Sequence, residues 1–263
     1  MRLSVYYKFW IIVAKNSLQE TFVNRWSNVL FITGKLLRLV MALFFLWLIQ
    51  TNVKQFGAYS SQELVIFFLT YHWIDLLSQV FFRGVYMFRQ QVVNGEFDLT
   101  LVKPIHPLFQ ALTGKPDIND AIFLIPSMIA TYVIIQRLGI TFELNDMLWF
   151  GVLFLNGFLI ATALHIWVLI IGILTTAVDG IIWLYRDLLE LGQFPISVYR
   201  EPMRFLLFFF VPIGLMTTIP AEILTNHNPS FSLPIVFGAG ISFFVVTLKA
   251  WGWALKRYSS ASS

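Results

Sequence analysis

Four histidines, His72, His106, His165 and His227, are the obvious candidates for metal or proton chemistry, yet they fall in four separate segments. None has the short spacing to a second ligand that lets one element grip an ion, and no cysteine exists to complete a site. Thiolate nucleophiles and disulfides are excluded for the same reason. The chain has no Gly-x-x-x-x-Gly-Lys-Ser/Thr loop to cradle phosphates, no His-Glu-x-x-His pair and no Gly-x-Ser-x-Gly elbow. No catalytic group, metal or bound cofactor is therefore expected. What remains is charge in apolar surroundings. Arg38 lies 12 residues before Gln50 and Asp75 lies 14 after Ser61, both within long apolar runs. At about 1.5 Å per residue those are depths of roughly 18 and 21 Å from one end. On antiparallel neighbouring helices the two charges meet at one level and form a pair, because pairing lowers the cost of charge in hydrocarbon. Two alternatives stay open: Lys35 and Arg38 snorkel to headgroups, or His72, one turn from Asp75, relays protons with it.

A second cluster follows at residues 83–119. It reads Asn94-Gly95-Glu96-Phe97-Asp98-Leu99-Thr100-Leu101-Val102-Lys103-Pro104-Ile105-His106-Pro107. Acids, bases and large apolar groups mixed in this way suit docking to a soluble partner. The other reading is an interfacial loop whose Phe97, Leu101 and Phe109 dip into lipid.

The elements that hold these residues are set by composition. Of 263 residues, 58% are hydrophobic and 27 are Phe, while only 12% are charged. An ordinary globular domain has about 25% charged residues, and none of this size has interior enough for so much apolar surface. Disorder is excluded as well. Apolar runs near the roughly 20 residues a membrane helix needs recur at Asn28–Gln50, Ser61–Phe82, Asp120–Leu138, Met147–Leu174, Arg204–Leu224 and Ser232–Leu255. They are continuous, which argues against an alternating β-barrel pattern. The fold class is therefore an all-α polytopic membrane protein of about six transmembrane helices. Residues 1–27 are too interrupted by charge for a signal peptide and read as an amphipathic helix on the cytoplasmic leaflet. Residues 259–263 form a short soluble tail.

Orientation follows from the 18 Lys and Arg residues. With the N-terminus cytoplasmic and all six runs crossing, only Lys54 and Arg137 fall outside, and Lys35 and Arg38 lie within the first run. The other fourteen are cytoplasmic, and so are both termini. The net charge of +4 thus reads as a membrane signature, with no nucleic-acid partner expected. One region stays ambiguous. The stretch 175–194 carries Asp179, Arg186, Asp187 and Glu190, and is either a surface helix or a polar fifth span. In the latter case Arg204–Leu224, broken by Pro212 and Pro220, is a re-entrant hairpin, and the charge count becomes eleven against five.

The run Asn94-Gly95-Glu96-Phe97-Asp98, Leu101, Lys103-Pro104-Ile105 and Pro107 resembles the hallmark of ABC-2 type transporter permeases. It is most similar to a subgroup patterned Gly-x-hydrophobic-Asp-x-x-Leu-basic-Pro-hydrophobic-x-Pro. Phe194-Pro195 with Pro212 and Ile219-Pro220-Ala221, and the ending Trp253 to Tyr258-Ser259-Ser260, resemble two further motifs of that subgroup, in the same order. The resemblance implies a permease subunit in the cell membrane, the inner or plasma membrane. It implies two separately encoded ATP-binding subunits and a second permease, identical or different. Gly95, Phe97, Asp98, Leu101, Pro104 and Pro107 would then form the ATPase-coupling loop, and Arg204–Leu224 the re-entrant segment. Export of a bulky or amphipathic compound is likewise an implication of the resemblance, the compound itself staying unknown. From the residues alone, a membrane anchor recruiting a soluble partner and a proton-coupled carrier remain alternatives.

Overall fold

The structure, a computed structural model, describes residues 3–23, 25–175, 179–227 and 231–259. Most of the expected tail at 259–263 therefore lies outside the described residues. Helix α1 (Leu3–Val23) leads into α2 (Arg25–Asn52). A small antiparallel hairpin of β1 (Gln55–Phe56) and β2 (Tyr59–Ser60) turns the chain back. Helix α3 (Ser61–Phe82) begins at a reciprocal cap, in which Glu63 N–H donates to the Ser60 hydroxyl and Ser60 N–H to the Glu63 carboxylate. A more tightly wound helical stretch at Arg83–Met87 continues α3 into the first of three short helices, α4 (Phe88–Val93), α5 (Glu96–Leu101) and α6 (Pro107–Thr113). Helix α7 (Ile118–Leu138) starts at Asp117, whose carboxylate accepts from the Asn119 and Asp120 N–H groups. The long α8 (Leu144–Leu174) follows, then α9 (Asp179–Glu190). Next are α10 (Met203–Phe210) and α11 (Gly214–Leu224), bent by 77° across Pro212, and last α12 (Leu233–Leu255). Among the described residues, α2, α3, α7, α8 and α12 are long and apolar enough to cross a membrane, and the α10–α11 pair also qualifies by length. The chain is a multi-pass, all-α membrane protein.

Helix α8 is the centre of the bundle. Leu153, Ile160, Ile166 and Leu169 are buried on it, and α3, α11 and α12 pack around it. In lipid this packing, rather than escape from water, holds helices together, so close approach matters. Gly157 allows it: a Cβ there would stand 2.5 Å from the Met216 carbonyl oxygen of α11. Helix α2, by contrast, is almost wholly uncovered by the rest of the chain.

The ambiguous region follows a definite course. From the end of α8 on the side of residues 83–119, α9 and the turn Leu191–Gln193 lead the chain to the end that carries the β-hairpin. There the Ile196 N–H donates to Thr218 Oγ1 at 3.2 Å and the Ser197 hydroxyl donates to Tyr59 Oη at 3.3 Å. Tyr59 Oη in turn donates to Glu222 Oε1 at 3.2 Å. Residues 197 and 222 thus meet at one tyrosine, and the α10–α11 pair between them leaves and returns at the same end. An arrangement in which Arg204–Leu224 runs from end to end of the bundle does not fit these contacts. Hydropathy favoured that arrangement because it scores the charges of α9 as a wet surface, whereas Arg186 is paired within the bundle.

Candidate functional site

Two places bring together the residues singled out by sequence. The first is the loop end. Gly95 has φ 73°, a left-handed conformation that turns α4 sharply into α5. Phe97, fully buried, roots α5 in the bundle. Its ring stands 5.0 Å from that of Phe88 and 5.2 Å from that of Tyr258, edge-on to both, and Phe88 lies 6.4 Å from Trp251 of α12. Burial, with the Asp98 carboxylate close by, pushes the Tyr258 hydroxyl pKa up to about 12. The loop motif and the C-terminal motif are therefore one physical unit, although Trp251 packs against Phe88 while Trp253 stacks under the Arg257 guanidinium at 3.8 Å.

Leu101 is half-buried against the same core. The Gln110 side-chain amide donates to the Thr100 and Ile105 carbonyls at 3.3 and 2.9 Å, which fixes the linker that carries Lys103 and Pro104. Pro107 opens α6, where its missing N–H costs nothing. Pro104 is exposed. Two residues that the motif does not include stand out here: Leu99 is 63% exposed and Val102 81% exposed. They lie three apart, on the side of α5 away from Phe97 and Leu101. Helical spacing alone could have picked them out. Phe109 does not reach outward, because Tyr6 and Phe9 of α1 cover it at 5.0 and 6.1 Å between ring centres. Lys115 and Glu20 close the same contact at 3.0 Å.

The second place is a cavity of about 1020 Å³ bordered by α2, α3, α7 and α9. Asp75 lines it and is paired, but not with Arg38. Arg186 of α9 donates to Asp75 Oδ1 at 3.3 Å and to Tyr86 Oη at 3.1 Å, and Gln79 bonds both acceptors. The expected Arg38–Asp75 pair is thus corrected to Arg186–Asp75. Counting depths put Arg38 at the right level, but it assumed α2 to be the neighbour of Asp75 and gave α9 no place in the bundle. Lys35 does not snorkel; it is paired with Asp117 and Asp120 at the start of α7, and Arg83 joins Asp117 at 3.8 Å. His72 hydrogen-bonds Ser127 Oγ at 3.2 Å across to α7. Pro212 marks the bend between α10 and α11, and Pro220 lies in the last helical stretch of α11. Among the described residues no group of three or more His, Asp and Glu side chains is arranged to hold a metal ion.

The profile of the family described as ABC-2 family transporter protein matches residues 36–262, from the middle of α2 to the end of the chain. The chain belongs to the ABC-2 transporter family. It is the permease type of subunit, a membrane component of an ABC transporter, and the matched residues include Asp75, Arg186 and the whole of α5. Helix α1 lies outside the matched residues. Neither a curated protein nor a solved structure matches this permease.

Proposed function

We propose that this permease is the membrane half of an ATP-driven exporter of a bulky or amphipathic compound. Separately encoded ATP-binding subunits dock on α5, and a second permease completes the transporter. The observation that carries the reading is the build of α5, a six-residue helix rooted by Phe97 and tipped by exposed Leu99 and Val102. The helical run from Ser61 to Val93 has 33 residues. It is about 50 Å long, well beyond the roughly 30 Å of a hydrocarbon core. Exposed apolar side chains past that length need a protein partner more than a lipid one. Because Phe97 and Asp98 adjoin Tyr258, a push on α5 is transmitted to α12 and to the central α8.

In this reading the loop end is cytoplasmic, α1 lies on that leaflet, and α9 is the fifth crossing, with α10–α11 re-entrant from the outside. The basic residues agree. Lys54, Arg137, Arg200 and Arg204 fall outside and Lys35, Arg38 and Arg186 within, which leaves eleven of the 18 in the cytoplasm. The carrier alternative loses ground, since it was built on Asp75 with His72, and Asp75 is held by Arg186 while His72 is bonded to Ser127.

The test is a permease carrying both Leu99→Asp and Val102→Asp. Two buried charges in the docking interface should weaken co-purification of the ATP-binding subunit at least about tenfold. The melting temperature in detergent should hold, since both sites are exposed. Undiminished co-purification with normal transport would overturn the docking role.

A further inference from the structure

Arg38 lies 13 residues from Arg25 and 14 from Asn52, and is therefore about 20 Å from either end of α2. A guanidinium stays charged at that depth and needs an anionic partner or a wet cavity. The acids around it are already taken: Asp75 by Arg186, Asp117 and Asp120 by Lys35, with Arg83 beside them. One acid lining the same cavity is left over, Glu190 of α9. Among the described residues neither Arg38 nor Glu190 forms an ion pair, with each other or with anything else. Glu190 is one turn past Arg186, about 6 Å nearer the hairpin end than the Asp75 level. Arg38 and Glu190 thus stand within about two helical turns of one depth, one cation and one anion both unsatisfied. Leu30, Met41, Phe45, Phe68 and Trp183 supply apolar surface on the same wall, beside polar groups such as Gln79 and Ser127 that are already bonded to other side chains.

We propose that this cavity binds a zwitterionic amphiphile, its anionic group on Arg38, its cationic group toward Glu190 and its chain along Leu30, Met41, Phe45, Phe68 and Trp183. A purely anionic ligand would leave Glu190 bare, and a purely cationic one would leave Arg38 bare, each forgoing one of the two charge contacts. The volume, about 1020 Å³, is at the upper end of the range of small-molecule sites and accommodates a headgroup with part of a chain. This assignment deepens the exporter reading and rests on it only in taking the ligand to be the transported compound.

The experiment titrates the full-length permease, without ATP-binding subunits, in a neutral glycoside detergent. Four probes are used: dodecylphosphocholine, dodecyl phosphate, dodecyltrimethylammonium and inorganic phosphate. Heats are corrected for partitioning into protein-free micelles. The wild type should prefer dodecylphosphocholine over each singly charged chain by at least about tenfold, and should not bind inorganic phosphate. Arg38→Gln should move the preference to dodecyltrimethylammonium, and Glu190→Gln should move it to dodecyl phosphate. A variant that gains a ligand is folded, so the exchange of preference cannot come from collapse. The proposal is overturned if both variants keep the wild-type ranking, or if the wild type binds all three chains alike. Either result would leave the permease and its α5 docking site standing, because no ATPase enters the measurement. Conversely, an uncoupled ATPase with the exchange intact would sink export and keep the site.

Discussion

At the scale of single residues, the pairing of Asp75 with Arg186 rather than Arg38 changes what substitutions should do. Asp75 is 18% and Arg186 12% exposed at the side chain, so the pair is mostly removed from solvent. Asp75→Asn should cost about 2 kcal/mol, less than a fully buried pair would lose, by leaving the Arg186 charge uncompensated. Arg186→Gln should cost a similar amount, and the double variant should cost clearly less than the two together, because coupled residues are not additive. Arg38→Gln combined with Asp75→Asn should instead be additive. Detergent melting of these variants decides between the two pairings, and coupling confined to Arg38 and Asp75 would contradict the geometry. That intramembrane acids and bases must pair could be read from the sequence, and so could the level at which they meet. The partner could not, because 12 residues of α9 with four charges look like surface until Asp75 is seen to need one of them.

Among the elements, the six apolar runs were largely legible, since a length near 20 apolar residues is a local signal, whereas the caps at Ser60 and Asp117 that set where α3 and α7 begin emerge only from the structure. The motif in the 83–119 loop was legible as a pattern, yet its division of labour was not. Phe97 is a root and Leu99 and Val102 the tip, a distinction that only burial can draw. Nor does sequence reveal that α8 meets α11 through Gly157. A single methyl group tests that contact. Gly157→Ala should destabilise by about 1–3 kcal/mol, since the new Cβ would press on the Met216 carbonyl oxygen of a packed, backbone-fixed neighbour. Gly151→Ala on the same helix meets nothing within 4 Å and should be neutral or slightly stabilising. Equal melting temperatures for the two variants would show that α11 does not pack where the structure has it.

For the whole molecule the remaining issue is which side of the membrane each end faces. The structure brings Ser197, Tyr59 and Glu222 together at the hairpin end and Gly95, Phe97 and Tyr258 at the other. No bilayer is needed to see that these are opposite ends, since α3 and α8 run between them. The direction comes from charge: eleven basic residues gather at the loop end or beyond the first and last helices, and four at the hairpin end. The chain has no cysteine, so a single introduced thiol reports its own location without background. Ser197 is exposed and Leu99 is exposed, which makes both positions reachable by reagent and tolerant of substitution. Ser197→Cys in intact cells should react with a membrane-impermeant maleimide, and Leu99→Cys should react only after the membrane is opened. If α9 did not cross, both thiols would be protected until lysis. If the molecule were inserted the other way up, Leu99→Cys alone would react in intact cells, and docking of a cytoplasmic ATP-binding subunit on α5 would be impossible. The pair of labelling results therefore fixes the path of α9 and the side on which energy is supplied.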